Sequence, residues 1–77
     1  MAAREEETIG RRVRRLRLAR GLSQKQLAMP GVSYSYISRI ESGNRKPTLN
    51  VLRKLARRLG VPLDYLETGA PVPAEAA

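Results

Sequence analysis

The chain has 77 residues, enough for one small domain whose elements share a single interior. It contains no cysteine and no histidine, which excludes disulfides and thiolate metal sites and removes the commonest general base and metal ligand. Fifteen Lys and Arg against seven Asp and Glu give a formal charge of +8, an excess that favours phosphate-rich partners.

Five helices and no strands are expected. Residues 1–7 form an acidic N-terminal segment read as flexible, with Glu5, Glu6 and Glu7 placed where the dipole of the following helix favours negative charge. The first helix runs from about Thr8, its N-cap, to Arg20, with Gly21 as the left-handed residue beyond its end. Ile9, Val13, Leu16 and the stem of Arg20 follow the spacing of one buried face, and Leu18 stands opposite. Arg11, Arg12, Arg14, Arg15 and Arg17 cover most of the other sides. They read mainly as a solubilising band that could attract a polyanion at long range.

Ser23 opens the second helix, and Gln26 three residues later completes a capping box. Leu27 and Ala28 face inward. Pro30 biases Met29 away from helical angles, so the helix stops there and Gly31 supports the turn. The third helix has Ser33 as N-cap, a hydrophobic staple between Val32 and Ile37, and an inward stripe of Ile37 and Ile40. Gly43 ends it, and Asn44-Arg45-Lys46-Pro47 is a basic loop. Thr48 caps the fourth helix, with Leu49, Leu52, Leu55, Ala56 and Leu59 inward, Val51 off that face, and Gly60 as terminator. Pro62, at a first helical position, opens a short fifth helix through about Leu66. The folded domain is expected over residues 8–67, and the Pro/Ala tail 68–77 reads as unstructured.

The third helix carries the most specific signal. On a wheel of 100° per residue, Ser35, Ser38, Arg39 and Ser42 point outward and Tyr34 sits on the flank near the N-terminal end. Small hydroxyls let the helix backbone approach a groove, and Arg39 can offer a two-pronged donor to guanine. The plain alternative is an exposed face made of poor helix formers. The basic loop that follows directly favours DNA.

Gln24, in the first turn of the second helix, is placed to address a phosphate, as are its neighbour Lys25 and the loop residues Asn44, Arg45 and Lys46. Tyr36 joins that set, although it lies near the core side and equally suits a structural ring. Glu41 projects toward the interior and needs a charged partner, which Arg17 can supply from the first helix; the expected role of that pair is structural.

LSQKQLA, then GVSYSYISRIESG, then NRKPTLNVLRKLARRLGV resembles the Xre-type helix-turn-helix domains, whose fold is that of the lambda and 434 phage repressors and Cro proteins. The resemblance covers about Ile9 to Leu66. It implies a lambda-repressor-like five-helix DNA-binding domain, usually a dimer on a two-fold operator, with a helix-turn-helix over about residues 23–42. Residues matching Tyr34, Ser35, Ser38 and Arg39 would face bases, the one matching Gln24 would grip phosphate, and the loop matching Asn44 to Lys46 would lie near the backbone. An Arg–Glu pair matching Arg17 and Glu41 is also a feature of such proteins. The chain departs in one respect: between Ala28 and Ile37 it is one residue shorter, with Met29-Pro30-Gly31 in place of a longer helix end. That bears on individual base contacts more than on the fold.

A DNA-binding transcriptional regulator, most simply a homodimeric one, is therefore expected. An antitoxin-like module that also binds a protein partner is the alternative, motivated by Leu18, Val51 and the tail. The arginine-rich first helix lacks the broad apolar face that membrane attachment needs. No apolar run approaches the roughly 18 residues of a membrane span, and the polar start is unlike a secretory signal, so a soluble, cytoplasmic protein is expected. No paired carboxylates suggest an enzyme, and no cofactor or metal is expected.

Overall fold

The structure, a computed structural model, describes residues 7–70. Among the described residues it holds five helices and no strand: α1 spans Ile9–Ala19, α2 Gln24–Leu27, α3 Tyr34–Glu41, α4 Leu49–Leu59 and α5 Leu63–Thr68. The all-α class expected from the sequence is the one observed.

Local chemistry sets the helix starts. The side chains of Thr8, Ser23, Ser33 and Thr48 accept from the backbone N–H three residues on, at 3.0–3.2 Å. Each satisfies one of the donors that a first turn leaves unpaired, a contribution of about 1 kcal/mol. Gln26 Oε1 also accepts from the Ser23 N–H at 2.8 Å, closing the capping box. Pro62 precedes α5 as its cap instead of occupying the first helical position, and it makes no side-chain cap bond.

The end of α2 is abrupt. Ala28 is extended at φ −60, ψ 151, and Met29 and Val32 then exchange two backbone hydrogen bonds of 3.0 and 2.8 Å. Pro30 and Gly31 form the tip, and Gly31 has φ +86, a value that a side chain would make costly. This turn sets the angle at which α3 leaves α2.

The interior lies where α1 meets α3, α4 and α5, with α2 packed on α3 and α5 on α4. Val13, Leu27, Val32, Ile37, Leu55, Leu59 and Leu66 are fully buried. Each such aliphatic side chain contributes on the order of 1.5–3 kcal/mol against its exposed state. Gly10 permits the closest approach: a Cβ there would collide with the Ile40 carbonyl oxygen. The α1 and α3 backbones therefore touch without a side chain between them.

Several expectations need correction. Arg12 is not on an outer side but 3% exposed. Its Nη1 donates to the Leu66 carbonyl at 2.8 Å, its Nη2 to the Glu7 carbonyl at 2.9 Å and its Nε to the Glu7 carboxylate at 3.2 Å. The charge is carried inward because each nitrogen meets an acceptor. Arg20 is exposed instead of lining the core, since it lies at the C-cap beyond the interior; its guanidinium rests beside Gly60. On α4 the roles of two residues are exchanged: Val51 is buried at 7% exposure, and Leu49, in the overhanging first turn, is 47% exposed.

Glu7, assigned by sequence to the acidic segment, directly precedes the Thr8 cap and pairs with Arg12 and Arg15. The last helix reaches Thr68, whose hydroxyl donates to the Asp64 carbonyl at 2.8 Å. Glu5 and Glu6, and the remainder of the proline-rich tail over 71–77, lie outside the described residues. No helix among the described residues is long and apolar enough to cross a membrane.

Candidate nucleic-acid interface

α3 is held from beneath and open above. Ile37 and Ile40 are fully buried, and Val32, just before the Ser33 cap, is buried with them. Tyr34, Ser35, Ser38 and Arg39 are all exposed. The Ser35 and Ser38 hydroxyls and the Arg39 guanidinium make no hydrogen bond with the described residues. The helix end is sealed by its own backbone: the Asn44 and Arg45 N–H groups donate to the Arg39 carbonyl, and Gly43, with φ +84, donates to that of Ile40. Arg39 thus has a satisfied backbone and a side chain with all its donors available.

Aromatic rings fix the residues around this face. The Lys25 ammonium lies 5.2 Å from the Tyr34 ring centroid, joining α2 to the start of α3. The Arg45 guanidinium lies 4.7 Å from that of Tyr36. Tyr36 is half-buried and packs against the core, so its ring acts as a platform for the loop. Asn44, Arg45 and Lys46 are exposed beside one another after α3.

Arg17 and Glu41 form the hub beneath. Arg17 Nε donates to Glu41 Oε2 at 2.7 Å and Nη2 to Oε1 at 3.0 Å, a two-pronged pair with side chains 9% and 5% exposed. Arg17 Nη1 donates to the Leu22 carbonyl at 2.8 Å. The bonds to Glu41 raise the Arg17 pKa, outweighing the effect of burial. Gln24 Nε2 also donates to Glu41 Oε1 at 3.1 Å. One Gln24 amide hydrogen is therefore directed at the hub, leaving the other for an outside acceptor. Arg14, Gln24, Ser38 and Ser42 line an open cleft of about 300 Å³ above this pair.

Sequence reasoning did not find Gly10, Arg12 or the placement of Arg14. A glycine inside a helical pattern is the signal for the first, since it costs stability unless another backbone comes near. Nothing in the periodicity marks Arg12, because the Leu66 carbonyl that receives its Nη1 comes from the far end of the domain. A second and larger concavity, about 790 Å³, lies between Met29-Pro30 and the Arg53, Lys54, Arg57 and Arg58 side chains of α4. It shares no lining residue with the outer face of α3. No group of three or more His, Cys, Asp or Glu suited to a metal occurs among the described residues.

Comparison with known proteins gives a consistent result. The family described as Helix-turn-helix matches residues 13–66. The chain is 43% identical over 54 residues to the uncharacterized HTH-type transcriptional regulator y4dJ of Sinorhizobium fredii, covering 69% of this chain and 70% of that one. It is 40% identical to an uncharacterized transcriptional regulator in the ATPase CF(0) region of Rhodospirillum rubrum, over 82% of this chain and 63% of the relative. With the HTH-type regulator YazB of Bacillus subtilis it shares 36% identity over 80% of this chain and 91% of the other. Among solved structures, Bacillus thuringiensis PlcR, crystallised with the peptide PapR7 and DNA, superposes with a TM-score of 0.73 at 37% identity. That match covers 78% of this chain but 21% of PlcR.

Proposed function

Because this chain belongs to the helix-turn-helix family of DNA-binding transcription regulators, we propose that it reads a specific duplex sequence by laying α3 in the major groove. Tyr34, Ser35, Ser38 and Arg39 face base edges. Gln24, Lys25, Tyr36, Asn44, Arg45 and Lys46 hold the backbone on either side. The observation that carries this reading is the contrast across α3: its aliphatic side is fully buried, and its opposite side keeps unbonded hydroxyls and a free guanidinium. A merely solvated helix usually carries Lys and Glu on its outer face, where this one carries Ser35 and Ser38.

Two copies would read half-sites about one helical turn apart, roughly 34 Å. The protein would act in the cytoplasm, without catalysis and without a cofactor. Selection of binding sites from a random duplex pool, with a mass measurement of the complex, tests the reading. The expected result is a two-fold symmetric site bound by two chains. Failure to enrich any sequence would overturn specificity, and a single chain on an asymmetric site would overturn the dimer.

A partner protein is a second reading, favoured by Leu18, which is 54% exposed among Arg11, Arg14 and Arg15. A stable complex with a co-purified second protein would support it.

A further inference from the structure

We infer that Arg14 on α1, with the Ser38 and Ser42 hydroxyls of α3, forms a seat for one DNA phosphate, so that α1 takes part in DNA contact. The inference rests on the reading of α3 as the element that enters DNA.

The cleft of about 300 Å³ between α1, α2 and α3 is lined by Arg14, Arg17, Gln24, Ser38, Glu41 and Ser42. Two of these, Arg17 and Glu41, cancel each other. The Glu41 carboxylate is 5% exposed and accepts from Arg17 Nε, Arg17 Nη2 and Gln24 Nε2, so it presents little free charge to the cleft. Arg14 is the surplus cation. Its guanidinium makes no hydrogen bond or ion pair with the described residues, and neither does the Ser38 hydroxyl. Ser42 Oγ donates to the Arg39 carbonyl at 3.1 Å, and that carbonyl also accepts from the Asn44 and Arg45 N–H groups, so the hydroxyl can be exchanged to a phosphate oxygen without leaving it unpaired.

A phosphodiester brings one negative charge and only acceptor oxygens. A cation beside two hydroxyl donors is the complementary set. Ser38 stands where the exposed side of α3 borders the cleft, so a strand lying along that side passes the mouth of the cleft, and the one Ser38 hydroxyl then serves the phosphate in place of a base edge.

The other arginines of α1 do not share this placement. Arg12 and Arg17 are buried and bonded. Arg15 is held by Glu7 and Tyr65. Arg11 shares with Arg14 and Arg15 a concavity next to Leu18, but unlike Arg14 it is absent from this cleft. Arg11 and Arg14 are both exposed and equal in charge, which makes the first an internal control for the second.

Fluorescence anisotropy with a random-sequence duplex, titrated between about 50 and 200 mM salt, separates a seated contact from a diffuse field. Arg14→Ala is expected to weaken binding about tenfold and to flatten the log–log salt slope by about 0.9. Arg14→Lys should keep the slope, and Arg11→Ala should lose much less affinity. Ser42→Ala should cost affinity in the wild-type background and nothing further in Arg14→Ala. Circular dichroism confirms that each variant is folded. Equal losses at Arg11 and Arg14 would overturn the seat, as would an unchanged Arg14→Ala beside a weakened Lys46→Ala, and both leave the DNA reading intact. If the folded wild type ignores duplex DNA at low salt, both readings fall together.

Discussion

Arg39 and Arg17 show how one residue type serves two ends within the same small domain. Arg39 is exposed, its guanidinium unengaged, on a helix whose backbone is already satisfied. Replacing it with alanine is expected to relax base preference at one position of the site by about 1–3 kcal/mol while leaving the melting temperature unchanged, as competition binding with single-substituted duplexes would reveal. Arg17 is the reverse case. It is 7% exposed and three of its nitrogens are spent on Glu41 and Leu22. Arg17→Ala leaves a shielded carboxylate without its cation and should destabilise the fold on the order of 3–5 kcal/mol in urea unfolding. A loss below about 1 kcal/mol would mean that water reaches Glu41 freely. Glu41 was legible as needing a cation because a carboxylate on the inner side of a helix has few other solutions. Arg12 was not, since the carbonyl it meets at Leu66 lies 54 residues away.

At the scale of elements, what local chemistry decides could be read and what depends on a covering neighbour could not. The caps at Thr8, Ser23, Ser33 and Thr48 involve partners three residues away, so the sequence contains both halves of each bond. The face of α4 was misjudged at Leu49 and Val51 because a wheel ranks residues by angle but says nothing of where along the axis the interior ends. The packing of α1 on α3 likewise depends on both partners. Gly10→Ala places a methyl group against the Ile40 carbonyl, and backbone is unable to yield as a flexible side chain would. The expected cost is at least about 1–3 kcal/mol of stability, with a measurable loss of DNA affinity if α3 tilts to relieve the clash. Unchanged thermal unfolding would show that the two helices can slide apart.

For the molecule as a whole, charge governs both stability and association. Glu7 ties the start of the chain to α1 and, through Arg15 and Tyr65, to α5. The Arg15 hydrogen bond, aided by the charges of Arg15 and Arg12, holds the Glu7 carboxyl below its ordinary value of 4.5, against the opposing effect of burial. A carboxylate lowered on folding contributes stability that is present above its unfolded pKa and lost as pH falls through the folded one. Acid unfolding should therefore deepen below about pH 4.5, and Glu7→Gln should be less stable than wild type at neutral pH but converge with it in acid. Parallel curves at all pH values would remove Glu7 from the acid response. The net charge of +8 sets the companion expectation for binding. Lys46→Ala should weaken selected and random duplexes alike and reduce the magnitude of the salt slope by about one unit, whereas Arg39→Ala should separate the two.

The hairpin-like link at Met29–Val32 has a mechanical corollary. With Leu27 and Val32 sunk in the interior on either side of two paired backbone bonds, the connection has no slack to pay out. α2 and α3 must pivot as one piece, so lengthening that link by a single residue is the smallest edit that would re-aim α3 while leaving every residue it presents unaltered.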